Sequence, residues 1–385
     1  MTTQDLFKTK KSTREHLVNL TKELVRFPSH PGEPLKIFEL VEFIKTYFAK
    51  DDLPISEHMV EGLPALVITT EPTKHPHIML SGHIDVVASC TQFTATVKGD
   101  ELWGSGTMDM KGGVACMMAA LKYFVTRPES ESRPSIGLML TADEETGGEA
   151  TRALLEDEGY MTDFCIVNEG RHKYDIVTRE KGILVVKVTL DGPSMHSAYP
   201  WKGRNPLEAL SRIILTMKDK FPKARDGWVP TMTVTSMRGG EEVNTIPGCA
   251  EAILNFRLTD DSDYSRERIL KFLEKEVMGG EVKELIHGDV FQMDPKNEYL
   301  KLLRIAAQET TGGKITWGQN NGASDARFFM KKGIPTGILG PLGHNSHSPT
   351  EWVSINSLWE HFTVLKKFIA AEHEKSEAEK IEFEI

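Results

Sequence analysis

Four short apolar runs, at residues 78–81, 136–141, 164–167 and 336–339, each lead into histidine or acidic residues. Runs of this length read as buried strands, and a helical stripe such as 114–124 stands between them. Strands alternating with helices specify a layered α/β sheet, largely parallel, in which ligands collect at the carboxyl ends of the strands. The pattern gives both the fold class and the place to look for chemistry.

Ahead of this core, Ser12 and Glu15 form a capping box for a helix carrying Leu17, Val18, Leu20, Leu24 and Val25, which Pro28 ends. A second helix starts near Pro34 with Phe38, Val41, Ile44 and Phe48 inward, and a strand follows at 65–69. Near Lys181 the style changes. A strand at 182–190, a helix at 206–217, strands at 232–237 and 250–256, a helix at 265–277 and a strand at 282–287 give the order β-α-β-β-α-β, which is ferredoxin-like. After Pro295 the α/β style resumes with a helix at 298–308, a strand near Ile315 and a closing helix from Ile355. The expectation is one domain made of 1–180 and 291–385, with a second inserted at 181–290; 385 residues exceed one ordinary core. The charged stretch 372–385 reads as a solvated helix end.

A formal net charge of -10 argues against nucleic acid or an anionic membrane as the main partner and favours a small molecule. Cys90, Cys116, Cys165 and Cys249 show no Cys-x-x-Cys spacing and are expected to be buried, reduced thiols. Neither a signal-type apolar stretch at the N-terminus nor a run of about 18 apolar residues occurs, so a cytoplasmic location is expected.

The chemistry-bearing residues follow the strands. In Ser-Gly-His-Ile-Asp-Val-Val, residues 81–87, His83 and Asp85 are two apart in an extended segment and face the same side. A carboxylate there fixes the imidazole as an oriented metal ligand. Asp109 lies in GSGTMDMKGG, residues 104–113, which matches neither a dinucleotide fingerprint nor a phosphate loop. TADEETGG, residues 141–148, offers adjacent Glu144 and Glu145, one able to bind metal while its neighbour works on water. Glu169 follows the strand at 164–167, and GHNSHSPTE, residues 343–351, offers His344 and His347, either of which could be a ligand by spacing. Two imidazoles and three carboxylates suit a pair of zinc ions sharing one carboxylate. Burying so many carboxylates without cations would be very costly. A serine hydrolase is excluded, because Gly104-Ser105-Gly106 is not a nucleophile elbow.

This ordered set, with a late His-x-x-x-Glu, resembles the M20 metallopeptidase and deacylase family over nearly the whole chain. The family includes acetylornithine deacetylase, succinyl-diaminopimelate desuccinylase, aminoacylase and glutamate carboxypeptidase. The resemblance implies a zinc-peptidase-like catalytic domain with a mixed, largely parallel sheet and an inserted ferredoxin-like dimerisation or lid domain. It makes His83, Asp109 and Glu169 the ligands of one metal and Asp109, Glu145 and His347 those of the other, with Asp109 bridging. Glu351 completes the frame that selects His347. Glu144 would be the general base, Asp85 the carboxylate orienting His83, and the Asp109–Met110 peptide cis.

His196, in GPSMHSAYP, would reach the active site of a partner subunit in a homodimer and stabilise the oxyanion. Asn244 and Arg257 would contact substrate, and the loop at 322–327 would lie near the pocket. The implied cofactors are two divalent ions, zinc with cobalt or manganese as alternatives. The implied reaction is hydrolysis of the amide bond of a small N-acyl amino acid; the alternative is a dipeptidase or carboxypeptidase acting on short peptides. A non-catalytic metal-binding protein of this fold would lack a ligand or the base, and none is missing. One departure stands out: desuccinylases carry an arginine pair where this chain has Arg179-Glu180-Lys181, and a negative charge at Glu180 would disfavour a substrate with a distal carboxylate.

Overall fold

The four apolar runs become inner strands of one mixed sheet, whose order is Ile55–Val60, Leu63–Thr69, Ile136–Thr141, Ile78–His83, Phe164–Val167, Thr336–Ile338 and Asp175–Glu180. Ile78–His83 is parallel to both neighbours, and Thr336–Ile338 extends the parallel set. The pairings outside that set are antiparallel. Every residue of Ile78–His83 and Ile136–Thr141 is buried, the condition under which a strand reads as a continuous apolar run. Register places His83 opposite Thr141, and Val167 opposite both Ser81 and Ile338, so four strand ends and their following loops share one edge.

The computed structural model describes residues 3–127, 133–223 and 225–383. It divides into two compact units: Met1–Thr178 with Met293–Gly318 and Ser324–Ile385, and Arg179–Gln292 with Gln319–Ala323.

In the first unit, Gly112–Val125 buries every residue except Tyr123 and packs against Lys10–Val25 and Ile355–Phe383. The first cap lies upstream of its expected position. Thr9 is extended and its Oγ1 accepts from the Ser12 N–H, while Ser12 Oγ accepts from the Thr9 N–H. Ser12 therefore fills the third helical position, where its hydroxyl does what a glutamate does in the usual box. Pro34–Phe48 buries Ile37, Leu40, Val41, Ile44 and Phe48 and leaves Phe38 half-exposed. The hairpin strand Ile55–Val60 escaped the sequence reading because its polar residues are exposed; Glu61 and Gly62, both at positive φ, make its turn.

The long closing helix is not solvated throughout 372–385. Glu372 is buried beside His77, with Nε2 to Oε2 at 3.6 Å, because it continues the inward stripe of Leu365, Phe368 and Ile369. Residues 384–385 lie outside the described residues. Cys90, Cys116 and Cys165 are free and buried, but Cys249 is exposed, since it begins the strand Cys249–Leu258 before the inward-facing positions start.

The second unit holds an antiparallel sheet ordered Thr231–Arg238, Cys249–Leu258, Gly182–Asp191, Glu281–Gly288. Pro206–Lys218 and Arg266–Glu276 supply the helices, and Leu184, Val186, Leu210, Leu254, Phe256 and Leu273 lie in the shared core. The chain order is the β-α-β-β-α-β expected from the pattern. No described helix of the protein is long and apolar enough to cross a membrane.

Candidate metal centre

His83 ends its strand fully buried, as is Asp85. The imidazole Nδ1 lies 3.1 Å from the Asp85 carbonyl oxygen and 3.3 Å from Asp85 Oδ1. An Nδ1–H donated to that side leaves the Nε2 lone pair facing Asp109 Oδ1 at 3.2 Å and Glu169 Oε1 at 3.8 Å. Asp85 also accepts from the Glu145 N–H through its Oδ2 at 3.0 Å, which ties the loop after one strand to the loop after the next.

Asp109 sits in an irregular loop that bends at Gly106, with φ 77°, where an added Cβ would press on Val86. The Asp109–Met110 peptide is cis. Gly113, with no Cβ, lets the first turn of its helix lie against the Asn168 backbone carbonyl. On the far side of Asp109, Oδ2 meets His347 Nε2 at 3.2 Å, and the same nitrogen lies 2.9 Å from Glu145 Oε1.

Two triads result, His83–Asp109–Glu169 and Asp109–Glu145–His347, each with its ligand atoms within 4.8 Å of one another. Ligands about 2.0–2.2 Å from a tetrahedral zinc stand roughly 3.3–3.6 Å apart, so these separations fit a metal in each triad. The electrostatics agree. Burial alone would lower the His83 pKa and raise that of Asp109. Hydrogen bonds donated to Asp109 and Asp85 hold His83 well above its ordinary value, and those that Asp109 accepts from His347 and His83 hold it well below. His347 is raised to about 10 by Asp109 and Glu145. Without metals, protonated imidazoles would take the place of cations among the carboxylates.

Residues 79–371 match the model of peptidase family M20/M25/M40. The chain belongs to that family. Succinyl-diaminopimelate desuccinylase of Gluconacetobacter diazotrophicus is 30% identical over 364 residues, which cover 89% of this chain and 93% of the relative. In fold, the chain is similar to an M20 family metallo-carboxypeptidase from Sulfolobus solfataricus, with TM-score 0.79, 18% identity and coverage of 92% and 98% of the two chains. It is also similar to a dinuclear metal binding peptidase of the M20 family from Bacillus subtilis, with TM-score 0.65, 15% identity and coverage of 94% and 99%. This M20 protein is a metal-dependent hydrolase of amide bonds.

The remaining expected residues of the M20 chain fall in two places. Glu144 precedes Glu145 in a tight turn, and burial, with Glu169, Asp325 and Glu145 nearby, pushes its carboxyl well above the usual range against the lowering effect of His83. His344 lies outside the triads, its ring stacked on His172 at 5.0 Å and packed near Trp352. His196, Asn244 and Arg257 belong to the second unit. There His196 is exposed and pairs in register with Thr245, while the Ser197 N–H donates to the Asn244 carbonyl, so His196 and Asn244 are neighbours. Arg257 is half-buried beside the core residue Phe256.

Glu180 does not present its charge as the sequence suggested. It is fully buried, and its Oε1 accepts from Asn320 Nδ2 at 3.0 Å. In the stretch 322–327, expected near the pocket, Arg327 donates to the Gly147 carbonyl at 2.7 Å, at the end of the Glu144 turn. Glu351, read only as a spacing marker, accepts three backbone hydrogen bonds from residues 106–109.

Proposed function

We propose that this hydrolase cleaves the amide bond of a small N-acyl amino acid at a two-zinc centre, one ion held by His83, Asp109 and Glu169 and the other by Asp109, Glu145 and His347. The supporting observation is the geometry of Asp109, whose two oxygens each face a different imidazole at 3.2 Å. Cobalt or manganese ions would satisfy the same donors.

Zinc supplies a Lewis acid for the scissile carbonyl and lowers the pKa of water towards about 7. Glu144 takes the proton from the attacking water as its oxygen adds to the carbonyl carbon. It then delivers that proton to the amine nitrogen as the carbon–nitrogen bond breaks. Asp85 keeps the His83 ring in one orientation and tautomer. His196 of the partner subunit stabilises the oxyanion in a homodimer formed through the second unit, which acts as a lid. Asn244 and Arg257 hold the substrate, Arg257 through a carboxylate. A cytoplasmic location belongs to the same reading. Dipeptidase or carboxypeptidase activity is the rival, favoured by the fold shared with the Sulfolobus solfataricus enzyme.

A hydrolysis screen decides between them. N-acetyl, N-succinyl and N-formyl amino acids are compared with dipeptides in zinc, cobalt or manganese. Turnover confined to N-acyl amino acids is expected; turnover of dipeptides alone would overturn the deacylase assignment.

A further inference from the structure

Two loops bring their metal-binding residues together from neighbouring strands of one small sheet, ordered Gly343–His344, Trp352–Ser354, Glu101–Trp103, Thr96–Lys98. His347 lies in the hairpin between the first two of these strands, with His344 opposite Trp352. Asp109 lies in the segment that leaves the third, whose Trp103 is opposite Trp352 on its other side. Glu351 stands where the two loops join, and it is 1% exposed. Its backbone carbonyl accepts from the Gly104 N–H at 3.0 Å. Its side chain reaches along the same segment: Oε2 accepts from the Gly106 N–H at 2.7 Å, and Oε1 accepts from Met108 at 2.8 Å and Asp109 at 3.0 Å.

We propose that Glu351 is a positioning residue that fixes bridging Asp109 to the His347 hairpin, so that both metal sites depend on it. Only a carboxylate has acceptor capacity on both oxygens for three converging N–H groups. Its oxygens are spent on amides, including the amide of Asp109 itself, and it belongs to neither triad. Because Asp109 is common to both triads, releasing its backbone loosens two sites at once. Loss of His347 would instead loosen one.

The proposal rests on the two-metal reading, and its test keeps the two apart. Zinc binding to the full chain is measured by competition with a chromophoric chelator, for wild type, Glu351→Gln and His347→Ala. Partners that orient metal ligands are typically worth about 10- to 100-fold in metal affinity. Glu351→Gln, whose amide can present only one oxygen, is expected to weaken both zinc sites by that factor, and His347→Ala only one. A purely structural role would lower global stability and leave the affinity of the folded protein unchanged. Affinities within about threefold of wild type, or a loss confined to one site, would overturn the proposal while leaving the two-metal reading intact. Wild type binding fewer than two ions would strike that reading instead. Hydrogen exchange on the metal-free wild type gives a second measure, should Glu351→Gln not fold: amides 106, 108 and 109 are expected to be protected, and free-peptide exchange there would overturn the proposal.

Discussion

Asp109 faces an imidazole on each side, and each imidazole faces a further carboxylate, Glu169 or Glu145. Glu144 stands outside both triads although it adjoins Glu145 in sequence. That separation of adjacent glutamates is what the proposed chemistry needs, one to hold metal and one to move a proton. Glu144→Ala is expected to lower kcat by about 10²- to 10⁴-fold, as removal of a general base does, while the metal content stays that of wild type. Near-normal turnover would remove Glu144 from the mechanism, and loss of metal would make it a ligand.

Much at this scale was legible, because residues that follow buried strands have few places to go. Roles set by backbone amides were not. Nothing in the spacing of His347 and Glu351 says that the glutamate turns back onto residues 106–109, and nothing in Arg179-Glu180-Lys181 says that Asn320 will cover the charge.

At the scale of elements, the inner strands declared themselves by complete burial, and the α/β alternation followed. The hairpin strand Ile55–Val60 was hidden by its polar exposed face, and the closing helix concealed inward-facing polar groups within a charged sequence. His361 is one of these. It is 1% exposed, and its Nε2–H donates to Asn168 Oδ1 at 2.7 Å, next to Glu169. Burial pushes its imidazole down to about 3, whereas an unfolded histidine titrates near about 6.5.

Between those values the unfolded chain binds a proton that the folded chain does not, so the stability that neutral His361 contributes is lost as pH drops from about 6.5 towards 3. His16, lowered to about 4 chiefly by burial, adds to the same limb. In the metal-free protein His83 and His347, held above their ordinary values, act in the opposite direction, so the His361 contribution is read as a difference between variants. Denaturant unfolding is measured at pH 7 and pH 5 for wild type and for His361→Gln, which keeps a donor for Asn168 without the titration; the variant is expected to gain stability relative to wild type on going to pH 5. An identical change in both proteins would contradict the assignment.

For the whole molecule, the α/β class, the family and hydrolysis of amide bonds could all be read from ordered motifs. The fold persists where few residues are shared, as with the Sulfolobus solfataricus fold relative at 18% identity. Substrate identity was less legible, since it depends on how side chains from distant segments are paired or buried, as Glu180 illustrates.

The central claim is that two metal ions share Asp109, and metal content per folded chain tests it most directly. The purified full chain, loaded with zinc and freed of excess, is expected to hold about two ions per chain, while Asp109→Ala holds far fewer at both sites. Chelation should abolish amide hydrolysis, and added zinc should restore it. Hydrolysis that persists in a chain shown to be metal-free, or an Asp109→Ala protein that still holds two ions, would contradict the two-metal centre.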